Sequence, residues 1–313
     1  MILKNEVLNY LIENDKPVSG QGIANHFNVS RGAIWKVIRS LNEDGYKISG
    51  KSNLGYYSDP NINIYSVNYL NKYLNQSFHI DIFDEVDSTS TYLKKIVYDY
   101  KLPSLAIAYK QTGGRGRTGK SFFSPPNGLY FSFAFKADDV SNLSLTTIKV
   151  GVAVLRAIES LFNIKCKIKW VNDIYYNNKK VGGILSEAII DFESKQVDTI
   201  CIGIGINLYV DKFPGNLKDV ATSLDLKECN RNLLIATIIN NFFDDSLNDE
   251  MLINEYKDKC VLLNKIVSFD INGKYYQGIA VDIDSEGHLI VNVDNNKMIL
   301  NSGEVSLGSK VYE

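Results

Sequence analysis

The sequence predicts an α+β protein built from three successive parts. Three observations support this fold class. Apolar residues recur at helical spacing in the first 60 residues, strand-like segments follow one another without crossover helices over residues 165–208, and short strands with no helix begin near Lys265. At 313 residues the chain is long enough for two or three domains. We expect domains at residues 1–60, 64–263 and 265–313.

The first part has the pattern of a winged helix-turn-helix. An apolar stripe over the first 12 residues predicts one helix, and the segments GQGIANHF and RGAIWKVIRSLNEDG predict two more, with Ser19 and Ser30 as their N-caps. Only Asn28-Val29 separates the second helix from the third, which suits the tight turn of this motif. The segment YKISGKSNLGYYS then supplies two short strands. A small helical bundle that only packs or dimerises is the alternative.

Charge favours DNA binding over the bundle. The whole chain has a formal net charge of −2, which argues against overall nucleic-acid affinity. From Ser30 to Lys51, however, there are five basic residues and two acidic ones, a local charge of +3. Contact with DNA phosphates is the simplest use of this charge. The predicted DNA-binding residues are Ser30, Arg31, Lys36, Arg39 and Lys51.

The middle part mixes strands with helices and predicts a mixed-sheet α/β core. A stretch around Pro60, SDPNINIY, has turn residues and no amphipathic period, so it is expected to be a linker. The clearest helix is LTTIKVGVAVLRAIESLFN, and the strands between residues 165 and 208 suggest a mixed or antiparallel sheet. The last part has turn residues at 272–273, 286–287 and 295–296, which predict a small β-barrel.

Composition and cysteine usage bound the remaining possibilities. The chain is 45% hydrophobic and 22% charged, as in ordinary globular proteins, and no apolar run approaches the length of a membrane span. Its first residues lack the apolar core of a signal peptide, so we expect a cytoplasmic protein without a membrane partner. Four cysteines stand without a C-x-x-C spacing, so neither a disulfide framework nor a Cys/His metal site is expected. They should be reduced and buried: Cys166, Cys201, Cys229 and Cys260.

A glycine-rich stretch, GRGRTGKS at residues 114–121, matches two phosphate-binding patterns at once. Both G-x-G-x-x-G and G-x-x-x-x-G-K-S depend on a helix that starts directly after the loop and directs backbone N–H groups at phosphate. The following residues, FFSPPNGLYFSFAFK, contain two prolines and then an alternating aromatic strand. No helix can start there, so we expect neither a P-loop nor a Rossmann loop.

Three segments of the middle part carry polar residues where strands should be apolar. They are DSTSTYLKK, QTGGRGRTGK and KWVNDIYYNNKKVGGILSE. Together they predict a polar, basic cleft. Its hydroxyl, amide and charged side chains would be Ser88, Thr89, Ser90, Gln111, Arg115, Arg117, Lys120, Lys169, Asn172, Asp173, Lys179 and Lys180.

At these segments the sequence resembles the biotin protein ligases, specifically the bifunctional ones that are also the biotin operon repressor. The resemblance rests on GRGR followed by an aromatic residue and SP, on KW-ND followed by KK-GGIL-E, and on GIGIN. It covers the whole chain in the same order. It implies a winged helix, a ligase core and a C-terminal SH3-like β domain.

The resemblance implies a two-step acyl transfer that uses biotin, ATP and Mg²⁺. Biotin and ATP give biotinyl-5′-AMP and pyrophosphate, and a lysine of a biotin carboxyl carrier protein domain then takes the biotinyl group. The implied partners also include operator DNA and a second copy of the chain, in a homodimer promoted by biotinyl-5′-AMP. A biotin-sensing repressor without catalysis and a lipoate–protein ligase are the alternatives. Lys120 and Lys180 argue against the sensor, and the GRGR loop and the winged helix favour biotin over lipoate.

The resemblance also implies a role for individual residues. Lys180, Arg117 and Lys120 would be catalytic, since the reaction needs its anionic charge neutralised. Without the resemblance, Ser88 could be only a helix cap and Lys180 only a lysine at the end of a hairpin, and Trp170 is expected in the core. The biotin-binding residues would be Ser88, Thr89, Ser90, Gln111, Arg115, Gly116, Arg117 and Lys180, and the ATP-binding residues Arg117, Lys120, Phe122, Asn172 and Asn207.

The sequence departs from the family pattern at four positions. Val171 replaces a proline, and Thr118 stands where a second arginine is often found. Phe122 replaces a tryptophan expected to stack on adenine, and Gly308 stands where an arginine would help to hold ATP. The departures with chemical consequence therefore fall on ATP binding and not on biotin recognition.

Overall fold

We describe a computed structural model of the chain over residues 2–14, 16–51, 54–60, 62–97, 102–137, 142–190, 197–246, 248–294 and 296–308. By internal contacts it divides into two compact units. The first comprises Met1–Ser77 with Leu226–Thr237, and the second comprises Phe78–Asp225 with Ile238–Glu313. The sequence-based bounds of three domains stay a prediction.

The described elements follow the predicted pattern of helices and strands. The helices are α1 (Ile2–Glu13), α2 (Gly20–His26), α3 (Arg31–Glu43), α4 (Val67–Tyr73), α5 (Thr89–Ile96), α6 (Leu143–Phe162), α7 (Arg231–Phe243) and α8 (Asp249–Lys259). The strands are β1 (Lys47–Lys51), β2 (Gly55–Asp59), β3 (His79–Val86), β4 (Ser104–Gln111), β5 (Leu129–Lys136), β6 (Lys167–Lys169), β7 (Asp173–Tyr176), β8 (Lys179–Ile190), β9 (Val197–Ile206), β10 (Ile266–Ile271), β11 (Lys274–Ile283), β12 (Leu289–Val293), β13 (Asn296–Leu300) and β14 (Val305–Leu307).

The first unit begins with the predicted winged helix-turn-helix. Ser19 Oγ accepts a hydrogen bond from the Gly22 N–H (2.9 Å), and Ser30 Oγ accepts one from the Ala33 N–H (3.1 Å), so both predicted caps are confirmed. Strands β1 and β2 pair antiparallel and form the wing. Helices α1, α2 and α3 and the wing share one apolar core.

The stretch predicted as a linker is partly a core segment instead. Ile62 is fully buried in the core of the winged helix, and Tyr69 of α4 joins the same core. Ser66 caps α4 and donates its backbone N–H to Asn232 Oδ1 (2.9 Å). The linker interpretation is therefore wrong for Ile62, because a local lack of periodicity does not reveal burial against distant residues.

Tyr69 makes the stability of the first unit sensitive to alkaline pH. Burial, partly offset by a hydrogen bond with Ser58 (2.5 Å), raises the pKa of Tyr69 to about 12 from its usual 10.0. The folded state therefore holds the phenol proton more tightly than the unfolded chain. The contribution of the protonated Tyr69 side chain to the free energy of unfolding is complete below pH 10 and is lost as the pH rises through about 12.

We expect Tyr69→Phe to remove this alkaline sensitivity. Relative to the variant, the wild type should lose on the order of 2 to 3 kcal/mol in free energy of unfolding between about pH 10 and 12, at about 1.4 kcal/mol per pKa unit. Denaturant unfolding of both proteins across this range would measure the difference. Parallel curves over the whole range would contradict the expectation.

A seven-stranded mixed sheet forms the centre of the second unit. Its order is β3-β4-β5-β9-β8-β7-β6, and β3 pairs parallel with β4 while every other pair is antiparallel. The mixed sheet predicted from the sequence is thus confirmed. Helix α6 buries most of its length, and glycines of β8 and β9 bring neighbouring side chains close to the sheet.

The C-terminal strands form a separate antiparallel sheet of the second unit. Its order is β13-β12-β11-β10-β14, and Val267, Ala280, Val291 and Val305 contribute to its buried face. The all-β character predicted for this part is confirmed. Trp170 Nε1 donates to the Gly287 carbonyl in the turn before β12 (2.9 Å), which connects this sheet to the end of β6.

The four cysteines are free thiols, and three of them are buried. Cys260 is only partly buried, so the prediction that all four are buried is wrong for this residue. It caps the C-terminus of α8, where the chain leaves the helix. Burial raises the pKa of the Cys166 and Cys201 thiols to about 12, so these two side chains behave as apolar core residues.

Candidate functional site

The three polar segments predicted to form a cleft converge on one cavity of the second unit. It lies where the N-terminus of α5, the loop of residues 114–122, and the glycine-rich parts of β8 and β9 meet. Residues 303–306 of the C-terminal sheet close one side. The predicted ligand-binding residues that line this cavity are Ser88, Thr89, Ser90, Gln111, Arg115, Gly116, Arg117, Lys120, Phe122, Asn172 and Lys180.

A network of hydroxyl and amide groups lines one part of the cavity. Ser88 and Ser90 share a hydrogen bond between their Oγ atoms (3.1 Å), and Thr89 Oγ1 shares one with Ser132 Oγ (2.7 Å). The Thr89 N–H donates to Gln111 Oε1 (2.9 Å). Ser88 Oγ also accepts from the Thr91 N–H, so Ser88 caps α5 and lines the cavity at the same time.

The glycine-rich loop closes on itself and does not introduce a helix. The Phe122 N–H donates to the Gly114 carbonyl (2.8 Å), and the Gly116 N–H donates to the Lys120 carbonyl (2.7 Å). A single 3₁₀ turn, Arg117–Gly119, lies between them, and the next regular element is β5. A Cβ on Gly114 would lie 2.5 Å from the Phe122 carbonyl oxygen. The loop is therefore not a P-loop or a Rossmann loop, as predicted.

Five basic and two acidic side chains line the cavity, which gives it a formal charge of +3. Lys180 Nζ lies 2.6 Å from Asp173 Oδ1, and Lys120 forms an ion pair with Glu304. Within the described part of the chain the other three cations, Arg115, Arg117 and Lys169, have no ion-pair partner. Such a surplus of positive charge in a concave site suits a ligand with several negative charges.

Lys169 and Asp173 lie directly opposite each other on β6 and β7. Burial lowers the pKa of Lys169, and so does the positive charge of Lys180, whereas the negative charge of Asp173 raises it. Burial therefore outweighs the attraction of Asp173, and the pKa of Lys169 lies below its usual value. Both residues line the cavity.

Phe122 provides an aromatic wall against the sheet. Its ring packs over the backbone of Gly205, where an added Cβ would lie only 2.5 Å from Phe122 Cε1. Gly183 lies beside the same ring, and Lys180 Nζ lies 6.0 Å from the ring centroid. The glycines of the GGIL and GIGIN segments thus make room for this ring.

The two asparagines predicted to read adenine are placed differently. Asn172 lines the cavity and donates Nδ2 to the Ile184 carbonyl (2.8 Å). Asn207 is buried outside the cavity lining, and its Nδ2 donates to the Thr222 carbonyl (3.0 Å). Its Oδ1 is buried without a hydrogen-bond partner among the described residues. Recognition of adenine by Asn207 stays a prediction. Its Oδ1 is the atom that would accept a hydrogen bond from the base.

Several lining residues lay outside the sequence-based site, among them Ser132, Trp170 and Glu304. Glu304 reaches Lys120 from the C-terminal sheet, and no local motif around Glu304 signals this contact between distant segments. Trp170 is buried, as predicted for a core residue, but it also lines the cavity.

The predicted DNA-binding residues lie on α3 and the wing of the first unit. Arg31, Lys36 and Arg39 are exposed, whereas the buried face of α3 holds Ile34, Ile38 and Leu41. Arg39 forms an ion pair with Glu43 (3.0 Å) and lies over the ring of Trp35, which is 54% exposed. Ser30 serves as the helix cap. The side chain of Lys51, at the end of β1, is outside the described part of the structure.

No described helix is long and apolar enough to cross a membrane. Among the described residues, no cluster of three or more His, Cys, Asp or Glu side chains could hold a metal ion.

Three family models match successive parts of the sequence. Residues 4–57 match an HTH domain, residues 82–207 match the Biotin/lipoate A/B protein ligase family, and residues 262–308 match the Biotin protein ligase C terminal domain. The middle match contains every predicted substrate-binding residue. The last match contains Glu304.

Similar proteins and structures agree with these matches. The Bifunctional ligase/repressor BirA of Bacillus spizizenii is 29% identical over 309 residues, which cover 93% of this chain and 94% of that protein. The protein of the same name from Escherichia coli K12 is 26% identical over 316 residues, covering 96% and 95%. The biotin protein ligase from Aquifex aeolicus in complex with biotin and ATP has a TM-score of 0.64 and 28% identity, covering 74% of this chain and 98% of that one. The order of the three matches and this nearly full-length alignment show that the chain belongs to the biotin protein ligase family, in the group with an N-terminal helix-turn-helix.

Proposed function

We propose that this protein activates biotin with ATP to form biotinyl-5′-AMP, and then transfers the biotinyl group to a lysine of a biotin carboxyl carrier protein domain. The single observation that carries this proposal is that one cavity joins a hydroxyl–amide network with three cations that have no ion-pair partner among the described residues. The hydroxyl–amide network suits an uncharged polar ring, and the cations suit carboxylate and phosphate. We further propose that the helix-turn-helix makes the protein a ligand-dependent repressor of biotin genes.

In the first step, a carboxylate oxygen of biotin attacks the α-phosphorus of ATP, and the bond to pyrophosphate breaks. No protein nucleophile takes part, so the protein contributes positioning and charge neutralisation. Lys180 would contact both the carboxylate and the α-phosphate. Arg115 and Arg117 would present planar guanidinium groups to the same oxygens, and Lys120 would stabilise the departing pyrophosphate.

The ureido ring of biotin has both N–H donors and a carbonyl acceptor. Ser88, Thr89, Ser90 and Gln111 offer hydroxyl and amide groups that can act in both senses. Their mutual hydrogen bonds hold them in place, so little side-chain freedom would be lost on binding.

The adenine ring would lie against Phe122, and its edge would meet Asn172 and Asn207. Asn207 Oδ1 is a buried acceptor without a described partner, and the exocyclic amino group of adenine is a suitable donor.

In the second step, the amine of the carrier lysine attacks the acyl carbon, and AMP departs with the electron pair of the broken acyl–oxygen bond.

ATP would enter as its Mg²⁺ complex, which reduces the negative charge on the phosphates. Glu304 lines the cavity beside Lys120 and is an oxygen donor of the kind that Mg²⁺ accepts. One carboxylate is too few for an all-protein cage, so we propose that the substrate phosphates and water supply the remaining ligands.

Incorporation of labelled biotin into a carrier domain tests the proposal. With ATP and Mg²⁺ the label should enter the carrier protein and become stable to acid, and replacing the acceptor lysine should abolish it. Binding of biotin without adenylation would favour the alternative of a sensor without catalysis. Transfer of lipoate in preference to biotin would favour a lipoate–protein ligase.

We expect Phe122→Ala to weaken ATP binding selectively. Loss of one aromatic stacking contact should cost roughly 1 kcal/mol, about a fivefold change in Kd. Biotin binding in the absence of ATP should hardly change. Calorimetric titration of each ligand alone would measure both values.

Phe123→Ala is the matched control, because Phe123 is adjacent but lies outside the cavity and contacts Phe213. Equal weakening of ATP and biotin binding by Phe122→Ala would instead mean that the ring supports the core.

A further inference from the structure

Asp173 presents a problem of charge for the proposed reaction. Its Oδ1 lies 2.6 Å from Lys180 Nζ, the group that must also meet the substrate carboxylate and the α-phosphate. Three anions would then compete for one ammonium group. Because the site is partly buried, repulsion between Asp173 and the substrate anions is less screened than it would be in water.

Lys169 lies in the position to relieve this repulsion. It is the direct partner of Asp173 across the β6–β7 pair, where opposed side chains share one face. It lines the same cavity and has no ion-pair partner among the described residues. Its long flexible stem allows the ammonium group to change partner without movement of the backbone.

We propose that Lys169 is a positioning residue that receives the Asp173 carboxylate when a substrate anion takes Lys180. This assignment rests on the proposed function. No covalent bond changes in this step: one ion pair replaces another, and Lys180 becomes available to the carboxylate and the phosphate. Asp173 thereby holds Lys180 toward the cavity without competing with the substrate in the reacting complex.

The alternative role for Lys169 is direct contact with the substrate. The two roles differ in their dependence on Asp173. If Lys169 acts by neutralising Asp173, it becomes dispensable once that carboxylate is removed. If it contacts substrate directly, its loss costs the same with or without Asp173.

A double-mutant cycle separates the two roles. Biotin-dependent release of pyrophosphate from ATP, without carrier protein, would be measured for wild type, Lys169→Met, Asp173→Asn and the double variant. We expect Lys169→Met to lower kcat/KM by about tenfold or more in the wild type. In the Asp173→Asn background the same substitution should cost little, so that the double variant is nearly as active as Asp173→Asn alone, since the two side chains act as one unit.

Lys167→Met is the matched control, because Lys167 is an exposed lysine on the same strand, outside the cavity. Thermal melting would check that each variant folds, and Lys169→Gln would replace Lys169→Met if the latter does not. Independent effects of the two substitutions, or wild-type activity of Lys169→Met, would overturn the inference and leave the ligase assignment intact. A folded wild-type protein that releases no pyrophosphate with biotin would overturn both.

Discussion

Lys180→Ala is expected to reduce biotin-dependent pyrophosphate release by two or more powers of ten. A single well-placed electrostatic group contributes on this order to a rate. Lys180 already holds a carboxylate at 2.6 Å and lies beside the aromatic wall of Phe122. Without it, a desolvated carboxylate and phosphate would have to approach each other without the ammonium group proposed to contact both.

The measurement needs a control for the Asp173 carboxylate, which the substitution leaves without its lysine. Lys180→Ala also removes the ion-pair partner of Asp173, which could disturb the site by itself. The double variant Lys180→Ala/Asp173→Asn removes that charge and should remain inactive if Lys180 serves the chemistry. Lys179→Ala changes the neighbouring lysine, which bonds to the Lys218 carbonyl outside the cavity, and should retain activity. Near-normal turnover of Lys180→Ala would show that the central lysine has been misassigned.

Operator binding is expected to increase at least tenfold when biotin and ATP are both present, a coupling of about 1.4 kcal/mol or more. One winged helix reads only a short half-site, and three exposed bases on α3 offer few phosphate contacts, so a monomer should bind poorly at physiological salt. Two copies on a palindrome gain by effective concentration. We therefore expect the ligand to favour a dimer.

We propose that biotinyl-5′-AMP orders the glycine-rich loop, which together with an edge strand of the core sheet would complete the dimer surface. A ligand can drive dimerisation only by binding the dimer-competent form more tightly. Within the loop, Gly119 has a φ of +78°, a conformation that most other residues adopt only with strain. Carrier protein should oppose the effect, because it consumes the adenylate.

Sedimentation and operator binding, each with and without biotin plus ATP, would test this switch. Lys180→Ala should lose the response to biotin plus ATP but respond to added biotinyl-5′-AMP at higher concentration than the wild type, since Lys180 would also contact this ligand. This comparison separates synthesis of the signal from its recognition. Replacing Lys36 with Ala should weaken DNA binding in both conditions. A ligand-independent dimer that binds the operator equally well in both conditions would refute the switch and leave only the ligase.

The helices and turns of the first unit show how far local sequence signals reach. Ser19 and Ser30 were recognisable as caps, because a cap is satisfied within its own first turn. Helix α4 carries the same signal at Ser66, yet the stretch before it had the composition of a linker. The burial of Ile62 depends on residues from α1 to β1, and nothing within its own segment indicates this.

The candidate site divides in the same way. The sequence by itself determined which residue types are present, that no helix follows the loop of residues 114–121, and that the strands after residue 165 adjoin one another, because hydrophobic period, prolines and caps act over a few residues. Only the tertiary structure decided that Lys180 pairs with Asp173, that Glu304 meets Lys120, and that Asn207 is buried with an acceptor that has no described partner. Those contacts arise from the register of β6 to β9 and from the packing of the C-terminal sheet beside the loop. The contact between Glu304 and Lys120 joins segments far apart in the sequence, so no local pattern indicates it. Asp173 and Lys180 are close in sequence, but their pairing depends on the register of the β7–β8 hairpin and its irregularity after Ile174.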